Sequence, residues 1–247
     1  VFDVDKDGWE DIIIGGYWYR NPQNPKEKAF ERYQFDETLD TNIHDIVMAD
    51  IDGNGTQDVV LMGEGEGVVW YEVPKEAKQN MAWKKTIITL SSRSWIVDLD
   101  KDGDNDIVVT DSDQQASRAA WLENDGNTPP AFTANFLSMK APGIRGSFHS
   151  LFVGDFDNDG DQDIFTCDQE DDTLPPEGAF PRWYIWENVS IGSEIKFMER
   201  VIYDGKLGGH DALVGDVDGD GDLDIYSKVW NLWPDREHGD FFENKTY

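Results

Sequence analysis

The sequence predicts an all-β chain: a β-propeller of four-stranded blades. Three observations predict it. A nine-residue acidic motif, D-x-D-x-[DN]-G-x-x-D, recurs five times, starting at Asp3, Asp50, Asp98, Asp155 and Asp216. Each copy is followed by a β-branched run and then by an aromatic one, the composition of short buried strands. No segment carries a 3.6-residue apolar period, so helix is expected to be scarce.

The repeat starts are 47, 48, 57 and 61 residues apart. About four short strands per unit of that length is the mark of a propeller blade. The innermost strand precedes the motif, as in Ile46–Ala49, Leu151–Gly154 and Ala212–Gly215. The second follows it: Ile12–Ile14, Val59–Leu61, Ile107–Val109, Ile164–Phe165 and Ile225–Tyr226. The third is aromatic and runs into a charged residue, followed in four copies by Asn, as in Trp18-Tyr19-Arg20-Asn21, Trp70-Tyr71-Glu72, Trp121-Leu122-Glu123-Asn124, Trp186-Glu187-Asn188 and Phe241-Phe242-Glu243-Asn244. A fourth is read at Phe30–Phe35, Trp83–Leu90, Phe132–Met139 and Ile195–Tyr203. The recurring third-strand aromatics are expected to be core between blades.

One propeller domain over residues 1–247 is expected, with blades at about 1–40, 41–90, 91–140, 146–204 and 208–247. The first and last are incomplete: Val1-Phe2 is too short for an innermost strand, and no outer strand follows Phe241–Asn244. At least five blades are therefore visible, either a near-closed ring or part of a seven-bladed one. Val1 is preceded by no Met or leader, which fits a mature form or a fragment.

The spacing of the acids has a chemical reason. Ca²⁺ takes six to eight oxygens in flexible geometry, and a tight loop turns positions 1, 3 and 5 inward while position 7 offers its backbone carbonyl. Gly at position 6 (Gly8, Gly55, Gly103, Gly160, Gly221) allows the sharp turn. The expected ligand sets are Asp3, Asp5, Asp7, Trp9 and Asp11; Asp50, Asp52, Asn54, Thr56 and Asp58; Asp98, Asp100, Asp102, Asp104 and Asp106; Asp155, Asp157, Asp159, Asp161 and Asp163; and Asp216, Asp218, Asp220, Asp222 and Asp224. Up to five Ca²⁺ ions follow, one per loop, the second loop being weakest because Asn54 replaces an acid. Asp/Gly hairpin turns or a merely acidic surface would not repeat carboxylates at the same four offsets.

With 51 Asp+Glu against 21 Lys+Arg, the formal charge is −30. Such a chain is a poor ligand for nucleic acid or for anionic membrane surfaces. No apolar run approaches the ~20 residues of a membrane span, so membrane insertion is not expected. Nineteen of the acids occupy positions 1, 3, 5 and 9 of the loops, where the side chain is the expected ligand, leaving an excess of only 11 elsewhere. Cys167 stands alone, which rules out an intrachain disulfide.

These units resemble FG-GAP/VCBS repeats, the Ca²⁺-loop blades of integrin α-subunit propellers and of many secreted bacterial proteins. The stretch Gly208-Gly209-His210-Asp211-Ala212-Leu213-Val214-Gly215-Asp216-Val217-Asp218-Gly219-Asp220-Gly221-Asp222 is similar to VCBS proteins of polysaccharide-degrading bacteria. The resemblance implies a secreted or cell-surface bacterial protein whose Ca²⁺ loops join the innermost strand to the next.

Three of the four histidines, His44, His149 and His210, lie six residues before a motif. That places them at the start of innermost strands, on the face opposite the loops. They either cap those strands or converge on a metal or a proton-transfer site. Two insertions rise on the same face, Asp168–Arg182 and the stretch holding Trp230, Trp233, Arg236 and His238. Trp230, Trp233 and His238 are candidate glycan contacts, by ring stacking and hydrogen bonding. The expected function is a Ca²⁺-stabilised extracellular module that recognises polysaccharide or a protein partner. One alternative is a polysaccharide lyase or sugar dehydratase-like enzyme drawing on His44, His149, His210, Lys228 and Arg236. Another is a structural part of a longer chain or secreted assembly.

Overall fold

The structure is a computed structural model and describes residues 1–39, 41–63, 65–79, 82–89, 91, 93–112, 118–140, 147–168, 181–192, 194–205, 209–228 and 239–245. The described residues form no α-helix. They form five antiparallel sheets, consistent with a propeller-like fold of successive blades. The first holds β1 (Ile12–Ile14), β2 (Tyr17–Arg20) and β3 (Glu31–Gln34). The second holds β4 (Ile43–Ala49), β5 (Asp58–Gly63), β6 (Gly67–Glu72) and β7 (Lys84–Thr89). The third holds β8 (Arg93–Val97), β9 (Asp106–Thr110), β10 (Ala119–Asn124) and β11 (Phe132–Phe136). The fourth holds β12 (Phe148–Gly154), β13 (Asp163–Asp168), β14 (Arg182–Asn188) and β15 (Phe197–Asp204). The fifth holds β16 (Asp211–Gly215), β17 (Asp224–Lys228) and β18 (Gly239–Phe242).

Burial explains the strand compositions. In the second to fourth sheets the second strands β5, β9 and β13 are buried at every residue, so both faces meet apolar neighbours and the sequence runs β-branched without alternation. The outer strands β7, β11 and β15 are half-solvated and mix polar with apolar residues. Trp18, Trp70, Trp121 and Trp186 are buried, as expected of core aromatics. Phe241 differs: it is 47% exposed and continues a cross-strand row with Tyr226 and Leu213, both exposed.

The chain groups into two compact units. One comprises residues 1–92 with 125–132, and the other 93–124 with 133–247. In the first, Phe35 stacks on Trp83 at 4.2 Å and meets Tyr71 edge-on, within a core that includes Trp18, Val59 and Val69. In the second, the innermost strands β8, β12 and β16 neighbour one another. Phe148, Tyr184 and Trp186 anchor the core between the third and fourth sheets. Phe165, Trp183 and Phe242 anchor the core between the fourth and fifth. Cys167 is buried there, and its thiol donates to the Gly209 carbonyl at 3.0 Å. A Cβ at Gly209 would lie 2.0 Å from that sulfur, so the close approach requires glycine.

Candidate metal centres

Every acidic loop joins two adjacent strands of its sheet or, in the first sheet, leads into β1, and all five are built alike. The loop backbone first folds around its own carboxylates. The position-1 Asp accepts from the position-6 glycine: Gly8 to Asp3 at 2.7 Å, Gly55 to Asp50 at 2.7 Å, Gly103 to Asp98 at 3.1 Å, Gly160 to Asp155 at 2.9 Å and Gly221 to Asp216 at 3.2 Å. Those glycines have φ between +81° and +105°, which bears out the steric reason for glycine there.

Position 4 is left-handed too, at Lys6, Gly53, Lys101, Asn158 and Gly219 (φ from +57° to +83°). The three non-glycine side chains there reach position 7 of the following loop. Lys6 meets Thr56 at 3.4 Å, Lys101 meets Asp161 at 2.6 Å and Asn158 meets Asp222 at 2.7 Å. Position 7 is thus a latch to the neighbouring loop as well as a place for a backbone ligand.

The closing Asp at position 9 is nearly fully buried in all five copies. Its Oδ2 accepts the position-2 N–H (Val4, Ile51, Leu99, Phe156 and Val217, at 2.9–3.3 Å). Its Oδ1 accepts a backbone N–H at or just beyond the end of the third strand, from Asn21, Val73, Asn124, Asn188 or Asn244 at 2.7–3.3 Å. This residue therefore ties the loop to the third strand, whatever else it holds. Sequence spacing alone marks it as a ligand and gives no sign of the clamp.

Positions 1, 3 and 9 converge. Asp3/Asp5/Asp11, Asp50/Asp52/Asp58, Asp98/Asp100/Asp106, Asp155/Asp157/Asp163 and Asp216/Asp218/Asp224 each place three ligand oxygens within 4.8 Å of one another. Position 5 (Asp7, Asn54, Asp102, Asp159, Asp220) lies outside these triads and accepts from the position-7 N–H at 2.8–3.1 Å. An all-oxygen triad of like charges, one member desolvated, suits a hard divalent cation.

The electrostatics separate the first loop from the rest. Burial pushes the Asp58, Asp106 and Asp163 carboxyls up to about 6. Burial also raises Asp11, Asp100, Asp157 and Asp218, and each has neighbouring carboxylates that push it the same way. At Asp224 the Asn244 N–H outweighs burial and lowers the value. Asp5 is lowered instead. Burial pushes it up, but Lys78 and Arg20 together more than offset that. Arg20 donates to Asp5 at 2.6 Å and pairs with Asp7, and Lys78 pairs with Asp5. Arg20 stands where the other four repeats carry Glu72, Glu123, Glu187 and Glu243. The first loop thus contains its own cations.

A pH dependence follows for the metal-free chain. Asp58, Asp106 and Asp163 bind protons more tightly folded than unfolded, so their contribution is fully present below about pH 4 and is lost as pH rises through about 6. In EDTA, thermal melts should therefore show higher stability at pH 5 than at pH 7.5. A flat or rising profile across that window would contradict the desolvation of these carboxyls.

The histidines behave differently from the loops. His44 and His149 sit at β-bulges, where the β4–β5 and β12–β13 registers slip between Ile43/Asp45 and Phe148/Ser150. Bulges re-aim side chains at sheet ends. His44 belongs to the first unit, His149 and His210 to the second. The His149 and His210 rings stack at 3.9 Å. His149 Nδ1 lies 2.7 Å from the His210 carbonyl, which can only accept, so the proton is on Nδ1. Arg93 Nη2 is 2.9 Å from Nδ1 and 3.1 Å from Nε2, and with Nδ1 donating, Nε2 receives the guanidinium. Arg93 is not singled out by the sequence, although it sits five residues before its motif, as Asp45 and Asp211 do. Lys228 closes β17 opposite Asp211. Trp230, Trp233, Arg236 and His238 lie outside the described residues. Among the described residues every potential metal-ligand group is made of Asp.

A chain of repeated antiparallel sheets, each with an Asp loop that gathers three carboxylates, is a β-repeat protein whose loops could each hold a metal ion. The model for the FG-GAP-like repeat family matches residues 3–61 and 98–166, just over half of the sequence. The chain belongs to that family. The fifth loop lies outside the matched residues and has the same clamp and triad. A search of curated proteins found no match. FG-GAP repeats are typical of extracellular proteins. Among the described residues no helix is long and apolar enough to cross a membrane.

Proposed function

We propose that this chain is a Ca²⁺-stabilised extracellular binding module that recognises carbohydrate at the strand ends opposite its Asp loops. One observation carries the metal reading: the same carboxylate triad recurs in five loops. Ca²⁺ fits better than Mg²⁺, which keeps its waters and resists a loop of protein oxygens. The second to fifth loops would hold the ion through positions 1, 3 and 9. In the first, Arg20 and Lys78 take its part. Bound Ca²⁺ would neutralise the triads and fix the turns.

The carbohydrate reading rests on charge separation within the second unit. Inner strands β8, β12 and β16 run toward the Asp loops, so Arg93, His149 and His210 lie at their far ends, with Lys228 beside Asp211. Cationic and imidazole groups gathered at one end of an acidic protein suit anionic sugars, through charge-assisted hydrogen bonds. The resemblance read in the sequence of the fifth repeat to VCBS proteins of polysaccharide-degrading bacteria fits this reading, as does the extracellular setting typical of FG-GAP repeats. The lyase alternative is less favoured, because both ring nitrogens of His149 are engaged. Affinity electrophoresis with Ca²⁺ present tests the proposal. Uronate-containing gels should retard the chain, and Arg93→Ala should relieve that retardation. Unretarded migration in every acidic and neutral polysaccharide would overturn the ligand reading and leave the metal reading standing.

A further inference from the structure

Position 4 of the loops is left-handed in all five copies, a conformation that glycine adopts freely and lysine only under strain. Gly53 and Gly219 occupy it in the second and fifth loops, yet Lys101 and Asn158 occupy it in the third and fourth. A side chain kept in an unfavourable backbone conformation points to a task for that side chain. In the second unit, which contains the third, fourth and fifth loops, the task is contact with the next loop along the chain.

Lys101 of the third loop crosses to the fourth, where Nζ donates to the Gly160 carbonyl at 2.9 Å and to Asp161 Oδ1 at 2.6 Å. The peptide between Gly160 and Asp161 gives its N–H to Asp159 Oδ1 at 2.9 Å. Its carbonyl is thus held by the preceding loop and its N–H by its own. Asn158 of the fourth loop makes the corresponding contact with the fifth. Its Nδ2 donates to Asp222 Oδ1 at 2.7 Å, and the Asp222 N–H donates to Asp220 Oδ1 at 3.1 Å. Asp222 is only 6% exposed, so that contact is shielded from water. Each of these residues also follows a triad member of its own loop directly: Lys101 follows Asp100, and Asn158 follows Asp157. One end of each contact is therefore bonded to a metal-ligand residue, and the other holds position 7 of the next loop.

We propose that Lys101 and Asn158 are positioning residues that couple the third, fourth and fifth loops, so that the three fill with Ca²⁺ cooperatively. The coupling rests on the Ca²⁺ reading of the loops. An ion held through Asp100 fixes the backbone at Lys101, and with it the anchor on the Gly160–Asp161 peptide. An ion held through Asp157 does the same for Asn158 and Asp222. Ordering one loop thereby lowers the ordering cost of the next, which gives positive cooperativity without a change of fold. The effect is reciprocal, because coupling between binding sites acts equally in both directions. Charge alone predicts the opposite sign for Lys101, since an ammonium beside the fourth loop repels an incoming cation.

Lys101→Gly and Asn158→Gly remove the contacts while keeping a residue that Gly53 and Gly219 show the turn accepts. Far-UV circular dichroism verifies that the variants are folded. Equilibrium dialysis against a series of free Ca²⁺ concentrations, with bound ion read by atomic emission, gives the binding isotherms. The wild-type chain should show a Hill coefficient of about 1.5 or more over the first three ions. In the Lys101→Gly/Asn158→Gly chain it should fall to about 1 or less, and half-saturation should need about five-fold more Ca²⁺. A purely structural contact would lower the melting temperature in EDTA and leave the shape of the isotherm alone. Full Ca²⁺ stoichiometry with a non-cooperative wild-type isotherm would overturn the coupling and leave the metal reading standing, as would superimposable wild-type and variant isotherms. Tighter binding by Lys101→Gly would make Lys101 a countercharge and overturn its positioning role. Absence of bound Ca²⁺ at every concentration would overturn the metal reading and the coupling together.

Discussion

Asp163→Ala should lower the stability of the chain by about 3–5 kcal/mol, far more than Asp159→Ala four residues earlier in the same loop. Asp163 is 1% exposed, and its two oxygens accept the N–H groups of Phe156 at 2.9 Å and Asn188 at 2.8 Å. Alanine orphans both donors in a buried place, at roughly 1–3 kcal/mol each, and removes a member of the cation triad. Asp159 is exposed and accepts from the Asp161 N–H at the loop surface. Its loss should cost about 1 kcal/mol or less in EDTA, where no metal is forfeited. Asp163→Asn, which keeps one acceptor oxygen, should fall between the two. Urea melts of the three variants read the order directly. If Asp163→Ala were no worse than Asp159→Ala, position 9 would not be the clamp between loop and third strand.

The second large effect concerns the metal count. After saturation with Ca²⁺ and removal of free ion, the wild-type chain should retain four ions by atomic emission, and the Arg20→Gln/Lys78→Gln variant five. Arg20 and Lys78 already neutralise Asp5, and the guanidinium also pairs with Asp7. A divalent ion entering that loop would have to displace both side chains or stand beside them, and like charges a few Å apart repel strongly in a partly buried site. Lys101 of the third loop, by contrast, pairs with Asp161 at position 7 of the fourth loop and not with a triad position. Five ions in the wild type, or four in the variant, would contradict the internal-cation reading.

These two residues also show where the sequence stops being informative. The loops are readable because their chemistry is local: the acids at positions 1 and 3, the glycine at position 6 and the closing acid lie within nine residues. The second and third strands are readable because burial on both faces demands β-branched and aromatic runs. Lys78 reaches Asp5 across 73 residues of sequence, so nothing near the first motif announces it. β8 escapes notice because it opens on Arg93 and Ser94, leaving only Trp95, Ile96 and Val97 as an apolar run before the motif. The left-handed turn at position 4 was encoded, but only by comparing repeats: Gly53 and Gly219 occupy the place where Lys6, Lys101 and Asn158 adopt the same conformation. The histidine position is equally repetitive, and its reason is a β-bulge at the sheet end in the second and fourth sheets. Phe241 departs from the buried tryptophans before it because the row it shares with Leu213 and Tyr226 is solvent-exposed.

Ca²⁺-dependent melting is the most direct measurement of the central claim. Each occupied site contributes about 2.7 kcal/mol at a hundredfold excess over its Kd, so four sites offer roughly 10 kcal/mol. At about 2–4 °C per kcal/mol for a chain of this size, EDTA should lower the melting temperature by well over 10 °C. Re-addition of Ca²⁺ should restore it, and equimolar Mg²⁺ should restore less. A melting temperature unchanged by EDTA, in a chain shown by atomic emission to hold no residual Ca²⁺, would contradict the claim that these loops are metal-stapled.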